Sequence, residues 1–240
     1  AQLVSRENSR LLPLAILPVE QIKAINYEMP MASAQVKSAI LLAGMYADSK
    51  TIVTEPYVSR DHTEKMFETF GVELYKEGTS VGIQKVEQLI SPETLEVPGD
   101  ISSAAFWLVA ASIIPNSNLT LKNVGVNKTR TGIIDVLLNM GADIKVVNER
   151  MSGKEPMADL IVKSAKLKGT SFGAEIMPRL IDEIPVIAVA AMFAEGKTII
   201  TGAEELRVKE TDRLSAVVNE FSKMGGNIVG TEDGLIIEGT

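Results

Sequence analysis

The sequence predicts an α/β (α+β) fold built from repeated βαβαββ units. Three segments predict it, because they place the same kinds of element in the same order, starting at Ser33, Ser103 and Asp182. Each segment opens with an apolar helix rich in small residues, followed by a strand, a loop, an amphipathic helix and a further strand. A period this long is that of a duplicated supersecondary unit and not of a helical solenoid.

The spacing inside the three repeats is also constant. The same number of residues separates the members of three pairs: Ser33 and Arg60, Ser103 and Arg130, Asp182 and Lys209. An arginine marks the expected start of each second helix, at Arg60, Arg130 and Arg213. A glycine follows each of these helices, at Gly71, Gly141 and Gly225, where a left-handed residue commonly ends a helix.

The strands are predicted from β-branched residues that follow each apolar helix. The segments "TIVTEP", "LTLKNV" and "TIITGA" occupy this place in the three repeats. The polar stretch "NERMSGKEPMADL" predicts a surface loop in the second repeat. The Pro- and Glu-containing segment around residues 90–97 interrupts the repeat pattern, so we expect two domain parts, residues 1–92 and 93–240.

Composition excludes several classes of function. The net charge of −7 disfavours a nucleic-acid-binding protein, which normally presents a basic face. The absence of cysteine excludes disulfides, thiolate metal sites and cysteine nucleophiles, and the single histidine, His62, disfavours a histidine-based metal centre. The chain lacks an apolar run of about 18 residues and a visible secretory signal, so we expect a cytoplasmic protein that binds neither membrane nor nucleic acid.

The charged stretch "EELRVKETDRL" at 204–214 is the first candidate site. Lys209 lies at or just before the predicted start of a helix, with Arg213 one turn in and Glu210 beside them. A helix N-terminus offers free N–H groups and a positive dipole end that suit phosphate or carboxylate. The alternative is an exposed helix end with solvated ion pairs. Asp182 likewise is either the N-cap of "IPVIAVAA" or a carboxylate that transfers protons with Lys209.

The first repeat offers a second candidate site. Ser33 and Gln35 stand at the start of its apolar helix. Either Ser33 caps the helix and Gln35 is only a polar residue of the first turn, or both donate hydrogen bonds to a bound anion. Arg60 precedes the next helix, where Asp61 is a candidate cap. We interpret the lone His62 as structural. Arg130, at the equivalent repeat position, has no charged residue next to it in "TRTGIIDVL" and is also interpreted as structural.

Four motifs in order, "ASAQVKSAILLAG", "SRDHTEKM", "LIDEIPVIAVAA" and "ELRVKETDRLSAV", closely resemble the 5-enolpyruvylshikimate-3-phosphate (EPSP) synthase family over essentially the whole chain. The resemblance implies transfer of the enolpyruvyl group of phosphoenolpyruvate to the 5-hydroxyl of shikimate 3-phosphate. Phosphate is released, and no metal or organic cofactor is needed. This is a step of the shikimate pathway to the aromatic amino acids.

The resemblance also implies residue roles. Asp182 is then the base at the 5-hydroxyl, Lys209 binds shikimate 3-phosphate and shares the proton transfer, and Glu210 handles the proton at the methylene carbon. Arg213 binds phosphoenolpyruvate. The remaining implied contacts with shikimate 3-phosphate come from Ser33, Ala34, Gln35 and Arg60, of which Gln35 also reaches phosphoenolpyruvate.

The family has six βαβαββ units in two domains with the active site in the cleft between them, whereas this chain shows three. No "GSKS"-like, "NAGT"-like or late "DHR" motif is present, so we expect the middle of the enzyme: one repeat of the first domain and two of the second. Exposed helix faces and sheet edges are then expected to cause self-association or to require the missing segments. Two alternatives stay open: a non-catalytic fragment, and the related UDP-N-acetylglucosamine enolpyruvyl transferase.

Overall fold

The computed structural model describes residues 2–9 and 11–240, and these form two compact units, Ala1–Pro92 and Glu93–Thr240. The elements of the N-terminal unit are β1 (Gln2–Ser5), α1 (Arg6–Ser9), β2 (Leu11–Leu17), β3 (Asn26–Glu28), α2 (Ala34–Gly44), β4 (Thr51–Thr54), α3 (His62–Thr69), β5 (Leu74–Glu77) and β6 (Ser80–Ile83).

The C-terminal unit contains the other two repeats. Its helices and strands are α4 (Ile101–Ile113), β7 (Asn118–Gly125), α5 (Gly132–Asn139), β8 (Asp143–Ser152), β9 (Glu155–Lys163), β10 (Ser171–Phe172), α6 (Ile184–Met192), β11 (Gly196–Ile200), α7 (Arg213–Lys223), β12 (Asn227–Gly230) and β13 (Leu235–Gly239). Short 3₁₀ turns span Met177–Arg179, Ile181–Glu183 and Glu204–Arg207.

The predicted βαβαββ repeat is confirmed by sheet topology. The strand order is β3-β4-β6-β5 in the first repeat and β10-β11-β13-β12 in the third, each with one parallel pair followed by two antiparallel pairs. The second repeat has the order β7-β9-β8, and a parallel bridge between Gly99 and Val124 stands where the other two have their first strand. Three segments with the same pattern thus fold with the same topology.

The helix ends follow the glycine prediction. Gly71, Gly141 and Gly225 all have positive φ, at +80°, +90° and +90°. They stand just beyond α3, α5 and α7. A residue with a Cβ is strained in this conformation, so glycine ends each helix and turns the chain into the next strand.

The predicted start of the second helix is correct in only one repeat. Helix α7 begins at Arg213 because the carboxylate of Asp212 caps it, accepting the backbone N–H of Ser215 at 3.0 Å. Helices α3 and α5 begin two residues after the arginines, with Asp61 and Thr131 in the N-cap positions and no side-chain capping bond. Arg60 and Arg130 therefore lie in the preceding loops, and Asp61 occupies the N-cap position expected of it but makes no side-chain capping bond.

The polar stretch predicted as a surface loop is instead an antiparallel hairpin. Strand β8 runs to Ser152, strand β9 starts at Glu155, and Gly153 turns between them with φ +58°. Polar side chains are compatible with these strands because much of β8 is exposed, whereas alternate residues of β9 are buried. Pairing shifts between Val147 and Arg150, where a bulge interrupts the ladder.

The core of the C-terminal unit is built on the two apolar helices. Small residues on α4 and α6, such as Ala105 and Ala191, are fully buried, which lets these helices approach closely beside larger side chains such as Leu108 and Ile187. The N-terminal unit has a smaller core, in which Leu41 of α2 packs with residues of β4, α3 and β6. Among residues 2–9 and 11–240, no helix is long and apolar enough to span a bilayer.

Candidate functional site

The C-terminal unit brings three of the predicted residues together around the start of α7. The guanidinium of Arg213 donates to Asp182 Oδ1 at 3.3 Å and to both carboxylate oxygens of Glu210, at 2.7 and 3.0 Å. Asp182 comes from the 3₁₀ turn before α6, and Arg213 from the start of α7. The motifs "LIDEIPVIAVAA" and "ELRVKETDRLSAV" of the third repeat therefore meet here. Arg213 is only one-quarter exposed, and it joins two carboxylates of different exposure, Asp182 at 33% and Glu210 at 67%.

Asp182 is not the N-cap that its sequence position suggests. Helix α6 begins at Ile184 with Pro185 in its first turn, and Glu183 occupies the N-cap position without a side-chain capping bond. Asp182 is one residue further out, in the Ile181–Glu183 turn. Its carboxylate forms an ion pair with Arg213.

Lys209 lies in the loop before α7 and not on the helix itself. It forms an ion pair with Glu205 of the preceding 3₁₀ turn, and its side chain is about three-tenths exposed. Its ammonium group is thus held at the surface by a carboxylate that is more exposed than itself. An exposed ion pair of this kind has a small net free energy, so a dianionic ligand can displace Glu205 at little cost.

Arg207 and Asp212 shape the loop that carries Lys209 and Glu210. Arg207 donates from Nε to the carbonyl of Glu232 at 2.8 Å and from Nη1 to Asp212 Oδ2 at 3.0 Å. The loop is therefore fastened at one end to the β12–β13 turn and at the other to the cap of α7. Sequence reasoning did not single out either residue, although both lie inside the "ELRVKETDRLSAV" motif.

The electrostatics favour ionised carboxylates in this loop. The backbone N–H of Ser215, then its hydroxyl and Arg207, holds the pKa of Asp212 below its ordinary value. A hydrogen bond from its own backbone, then the guanidinium of Arg213 and the charge of Lys209, lowers the pKa of Glu210. Both groups are thus negative at neutral pH and balance part of the cationic charge of the loop.

The N-terminal unit places the other predicted residues at two adjacent helix starts. Ser33 is the N-cap of α2, as predicted, and its Oγ accepts the backbone N–H of Val36 at 3.4 Å. Gln35 is exposed in the first turn. The start of α3 lies beside α2, because Ser38 and Thr63 hydrogen-bond at 2.7 Å through their hydroxyls. Ala34 and Arg60 are partly buried, and Arg60 stands two residues before α3.

A buried lysine in the motif "ASAQVKSAILLAG" was missed by sequence reasoning. Lys37 is 1% exposed and pairs with Glu55 at 2.8 Å and Glu64 at 2.7 Å. A signal was present, because Lys37 precedes Leu41 and Gly44 at i+4 and i+7, and all three are buried on one face of α2. Lysine is rarely buried, and it is buried here because two carboxylates accompany its ammonium group.

Arg130 has charged contacts that its sequence neighbours do not show. Its guanidinium donates to Asp100 at 3.0 Å and to the hydroxyl of Ser102 at 2.6 Å, both at the start of α4. Asp100 caps this helix through the N–H of Ser103. Burial opposes the shift, but the bonds from Ser103 and the charge of Arg130 outweigh it and lower the pKa of Asp100. The partners of Arg130 thus lie at the start of α4, about 30 residues earlier in the chain.

The comparisons with known proteins agree with the motifs. A family model described as EPSP synthase (3-phosphoshikimate 1-carboxyvinyltransferase) matches residues 1–240. The chain belongs to the EPSP synthase family. This membership favours EPSP synthase over the related UDP-N-acetylglucosamine enolpyruvyl transferase.

Individual relatives of the EPSP synthase family match over the full chain. It is 53% identical over 240 residues to the 3-phosphoshikimate 1-carboxyvinyltransferase of Thermoanaerobacter sp. (strain X514) and 54% identical over 241 residues to that of Crocosphaera subtropica. These alignments cover 100% of this chain but 56% and 53% of the two relatives. A solved structure of the EPSP synthase from Acinetobacter baumannii matches with a TM-score of 0.90 and 45% identity, covering 100% of this chain and 54% of that one. The chain thus spans about half the length of the EPSP synthases that it matches.

Proposed function

We propose that this chain carries part of the active site of an EPSP synthase. The reaction transfers the enolpyruvyl group of phosphoenolpyruvate to the 5-hydroxyl of shikimate 3-phosphate and releases inorganic phosphate. The observation that carries the proposal is the contact of Asp182, Arg213 and Glu210 at the start of α7. Two polyanionic substrates need cationic groups, and addition followed by elimination across a C=C bond needs an acid and a base held close together.

The proposed roles in the C-terminal unit follow the chemistry of each group. Asp182, a carboxylate held by a guanidinium, removes the proton of the 5-hydroxyl as the oxygen attacks phosphoenolpyruvate. Glu210 handles the proton at the methylene carbon, which is gained in the addition and lost in the elimination. Arg213 binds phosphoenolpyruvate. Lys209 binds shikimate 3-phosphate and takes part, with Asp182, in the transfer of the 5-hydroxyl proton. No step of this proposal uses a metal or an organic cofactor.

The ion pairs of Arg213 and Lys209 are the contacts that a bound substrate has to replace. Arg213 is engaged with Asp182 and Glu210, and Lys209 with Glu205. A phosphate or carboxylate that binds Arg213 competes with Glu210, and release of Glu210 leaves its carboxylate available for proton transfer. Binding and activation of the acid–base group are therefore coupled through one guanidinium.

In the N-terminal unit we propose a contact surface for shikimate 3-phosphate. The N-terminus of α2 offers backbone N–H groups and the hydroxyl of Ser33, with Ala34 and Gln35 in its first turn. Arg60, before the neighbouring α3, binds the phosphate. We also propose that residues 1–92 belong to the first domain of the enzyme and residues 93–240 to the second.

Exposed apolar side chains support a requirement for further protein. Phe106 and Trp107 on α4 are 64% and 60% exposed, although α4 is the most apolar long helix of its repeat. Leu12 and Ile16 of the N-terminal hairpin are exposed as well. Since the chain spans about half of its relatives, we propose that these faces bind either a second copy or the remaining part of an EPSP synthase. The chain alone is then a folded but non-catalytic part of the enzyme, which is the second candidate function.

A cytoplasmic location belongs to the same proposal. Both substrates carry phosphate groups, which do not cross a bilayer unaided, so an enzyme that uses them works in the compartment where they are made. Fractionation of cells that express the chain tests this directly.

Turnover distinguishes the two candidate functions. Phosphate release from phosphoenolpyruvate in the presence of shikimate 3-phosphate is measured for the chain alone and after addition of a polypeptide that carries the other segments of a relative. We expect turnover only in the mixture, and its loss in Asp182→Asn and Lys209→Met. Lys223→Met is the matched control, because Lys223 is also paired with a glutamate near α7 but lies at its far end. Full turnover by the Lys209→Met mixture contradicts the assignment.

A further inference from the structure

The N-terminal unit contains three buried charges for which the proposed chemistry has no use. Lys37, Glu55 and Glu64 have side chains that are 1–2% exposed. The ammonium group lies 2.8 Å from Glu55 Oε2 and 2.7 Å from Glu64 Oε1. The other oxygen of each carboxylate is buried without a hydrogen-bond partner. We call these three residues the buried triad.

The buried triad connects three elements of the first repeat. Lys37 lies in α2, Glu55 directly follows β4, and Glu64 lies in the first turn of α3. Glu55 Oε2 also accepts the backbone N–H of Ser59 at 3.3 Å. Segment 59–64 is therefore attached at both ends to the same lysine, through Glu55 at Ser59 and directly at Glu64.

Stability alone does not account for such a cluster. Removing charges from water is costly, and replacing a buried ion pair by apolar side chains of similar volume is often neutral or stabilising. Here two carboxylates share one ammonium group, which makes the electrostatic balance poorer than that of a simple pair. Ion pairs do, however, fix the direction and the distance between the groups that they join, which apolar contacts do not. Here they fix the position of segment 59–64, which contains Arg60.

We propose that Lys37 is a positioning residue that sets Arg60 relative to the N-terminus of α2. Helix α2 begins with the Ser33 cap and Gln35, and Lys37 follows on the same helix, half a turn further on. The buried triad therefore fixes the distance between the two groups that are proposed to bind shikimate 3-phosphate. The binding role of Arg60 in this inference rests on the proposed function. The positioning of Arg60 by the buried triad does not depend on any substrate.

The test compares a neutral replacement with the natural cluster. Lys37→Met alone leaves two uncompensated carboxylates in the core and is expected to weaken folding. The triple variant Lys37→Met/Glu55→Gln/Glu64→Met removes the charges together and retains an oxygen that can accept the N–H of Ser59. The control is Lys76→Met/Glu68→Met, which removes an ion pair of the same unit whose partners are 46% and 31% exposed.

Amide hydrogen exchange is the first readout. In the triple variant we expect exchange at least about tenfold faster at the amides of Ser59 and Lys65, which are hydrogen-bonded to Glu55 and to the carbonyl of Asp61, while β4 and β6 keep their protection. The control pair should change neither. Unchanged exchange at Ser59 and Lys65, or an equal loss of protection throughout the N-terminal unit, overturns the proposal, because the cluster would then have no local effect or a purely structural one.

The second readout is a double-mutant cycle on shikimate 3-phosphate affinity. If the buried triad acts through Arg60, Arg60→Ala should weaken binding strongly in the natural chain and add little in the triple variant. Full additivity of the two changes overturns the positioning role. If the natural chain binds no shikimate 3-phosphate, the proposed function of the isolated chain fails, and hydrogen exchange alone decides the inference.

Discussion

Arg213 joins two parts of the third repeat through its ion pairs. It is attached to Asp182 from one motif and to Glu210 from its own loop, so it brings together carboxylates that are distant in sequence. A guanidinium suits this task because its donors form a rigid fork that pairs with a carboxylate in two places. Lysine offers a point charge and cannot reproduce both contacts.

Arg213→Lys should therefore raise the pKa of Glu210 toward its ordinary value of 4.5, since the guanidinium is one cause of the lowered pKa. In the natural chain the lowered pKa stabilises the folded loop above pH 4.5, and this contribution is lost as the pH falls through the folded-state pKa. The variant should lose the part of this pH dependence that comes from the guanidinium, while the part from the backbone hydrogen bond of Glu210 remains. Carboxylate titration by NMR measures it.

Arg150→Lys is the matched control for this change, because it replaces an arginine of the same unit that pairs with Glu96 instead. We expect Glu210 to titrate in this control as it does in the natural chain. A titration of Glu210 that is the same in Arg213→Lys as in the natural chain contradicts the proposed coupling of Arg213 to Glu210.

The proximity of the candidate residues in the third repeat could be predicted from the sequence, but the ion pairs around other residues could not. Asp182, Glu210 and Arg213 meet because the third repeat returns its second helix to the start of its first, a consequence of the repeat pattern. The ion pairs of Lys37 and of Arg130 were not predicted, because their partners lie on other elements and only the folded chain brings them together. Spacing rules detect neighbours along one helix and do not detect contacts of this kind.

At the scale of elements, the caps explain where several helices begin and end. Ser33, Asp100 and Asp212 each cap a helix through a side-chain oxygen, and glycines with positive φ end α3, α5 and α7. The sequence predicted these glycines because their conformation excludes most other residues. It did not predict the β8–β9 hairpin, whose exposed strand has the composition of a loop.

Asp100→Ala should lower the free energy of unfolding by about 1 kcal/mol at pH 7, because it removes the cap of α4. Asp100→Asn should cost less, because asparagine also caps but loses the ion pair with Arg130. The lowered pKa of Asp100 means that its charge stabilises the fold above the ordinary value of 3.8. The difference between the natural chain and Asp100→Asn should vanish as the pH falls through the folded-state pKa.

Urea unfolding of Asp100→Asn at several pH values measures this difference. Asp143→Asn, at the exposed start of β8, is the control and should show no comparable pH-dependent difference. A difference for Asp100→Asn that persists below the folded-state pKa contradicts the role of the Arg130 ion pair.

Gly225→Ala should lower the free energy of unfolding by about 1–2 kcal/mol through backbone strain alone. A Cβ at this position meets no atom within 4 Å, so a steric clash contributes nothing. Gly225→Asn should cost less, because asparagine adopts positive φ more readily. Asn219→Ala, at an exposed position of α7, is the control and should be neutral or slightly stabilising. Equal stability of Gly225→Ala and the natural chain contradicts this interpretation.

At the scale of the whole molecule, the exposed apolar faces are the surfaces on which we propose that further protein binds. The match to about half of each relative and the exposure of Phe106 and Trp107 agree on this point. The sequence predicted the exposure from the number of repeats. It could not predict which side chains would be exposed, because an almost wholly apolar helix such as α4 carries little periodic information.

Trp107 is the single tryptophan and thus reports on its own surface. If the α4 face self-associates, tryptophan emission should shift to shorter wavelength as protein concentration rises, in step with the sedimentation coefficient. Phe106→Glu should abolish both changes, since burial of an unpaired carboxylate is costly. Asn219→Glu on α7 is the control. A concentration-independent monomer with solvent-exposed Trp107, which also fails to bind a polypeptide that carries the other segments, contradicts the proposed face.

Calorimetric titration of shikimate 3-phosphate into the purified chain tests the central proposal most directly. The account predicts binding that Arg60→Ala and Lys209→Met each weaken by about tenfold or more, corresponding to about 1.4 kcal/mol, while Lys223→Met binds as the natural chain does. Absence of binding at millimolar ligand by a chain that is shown to be folded, or binding that neither substitution changes, contradicts it.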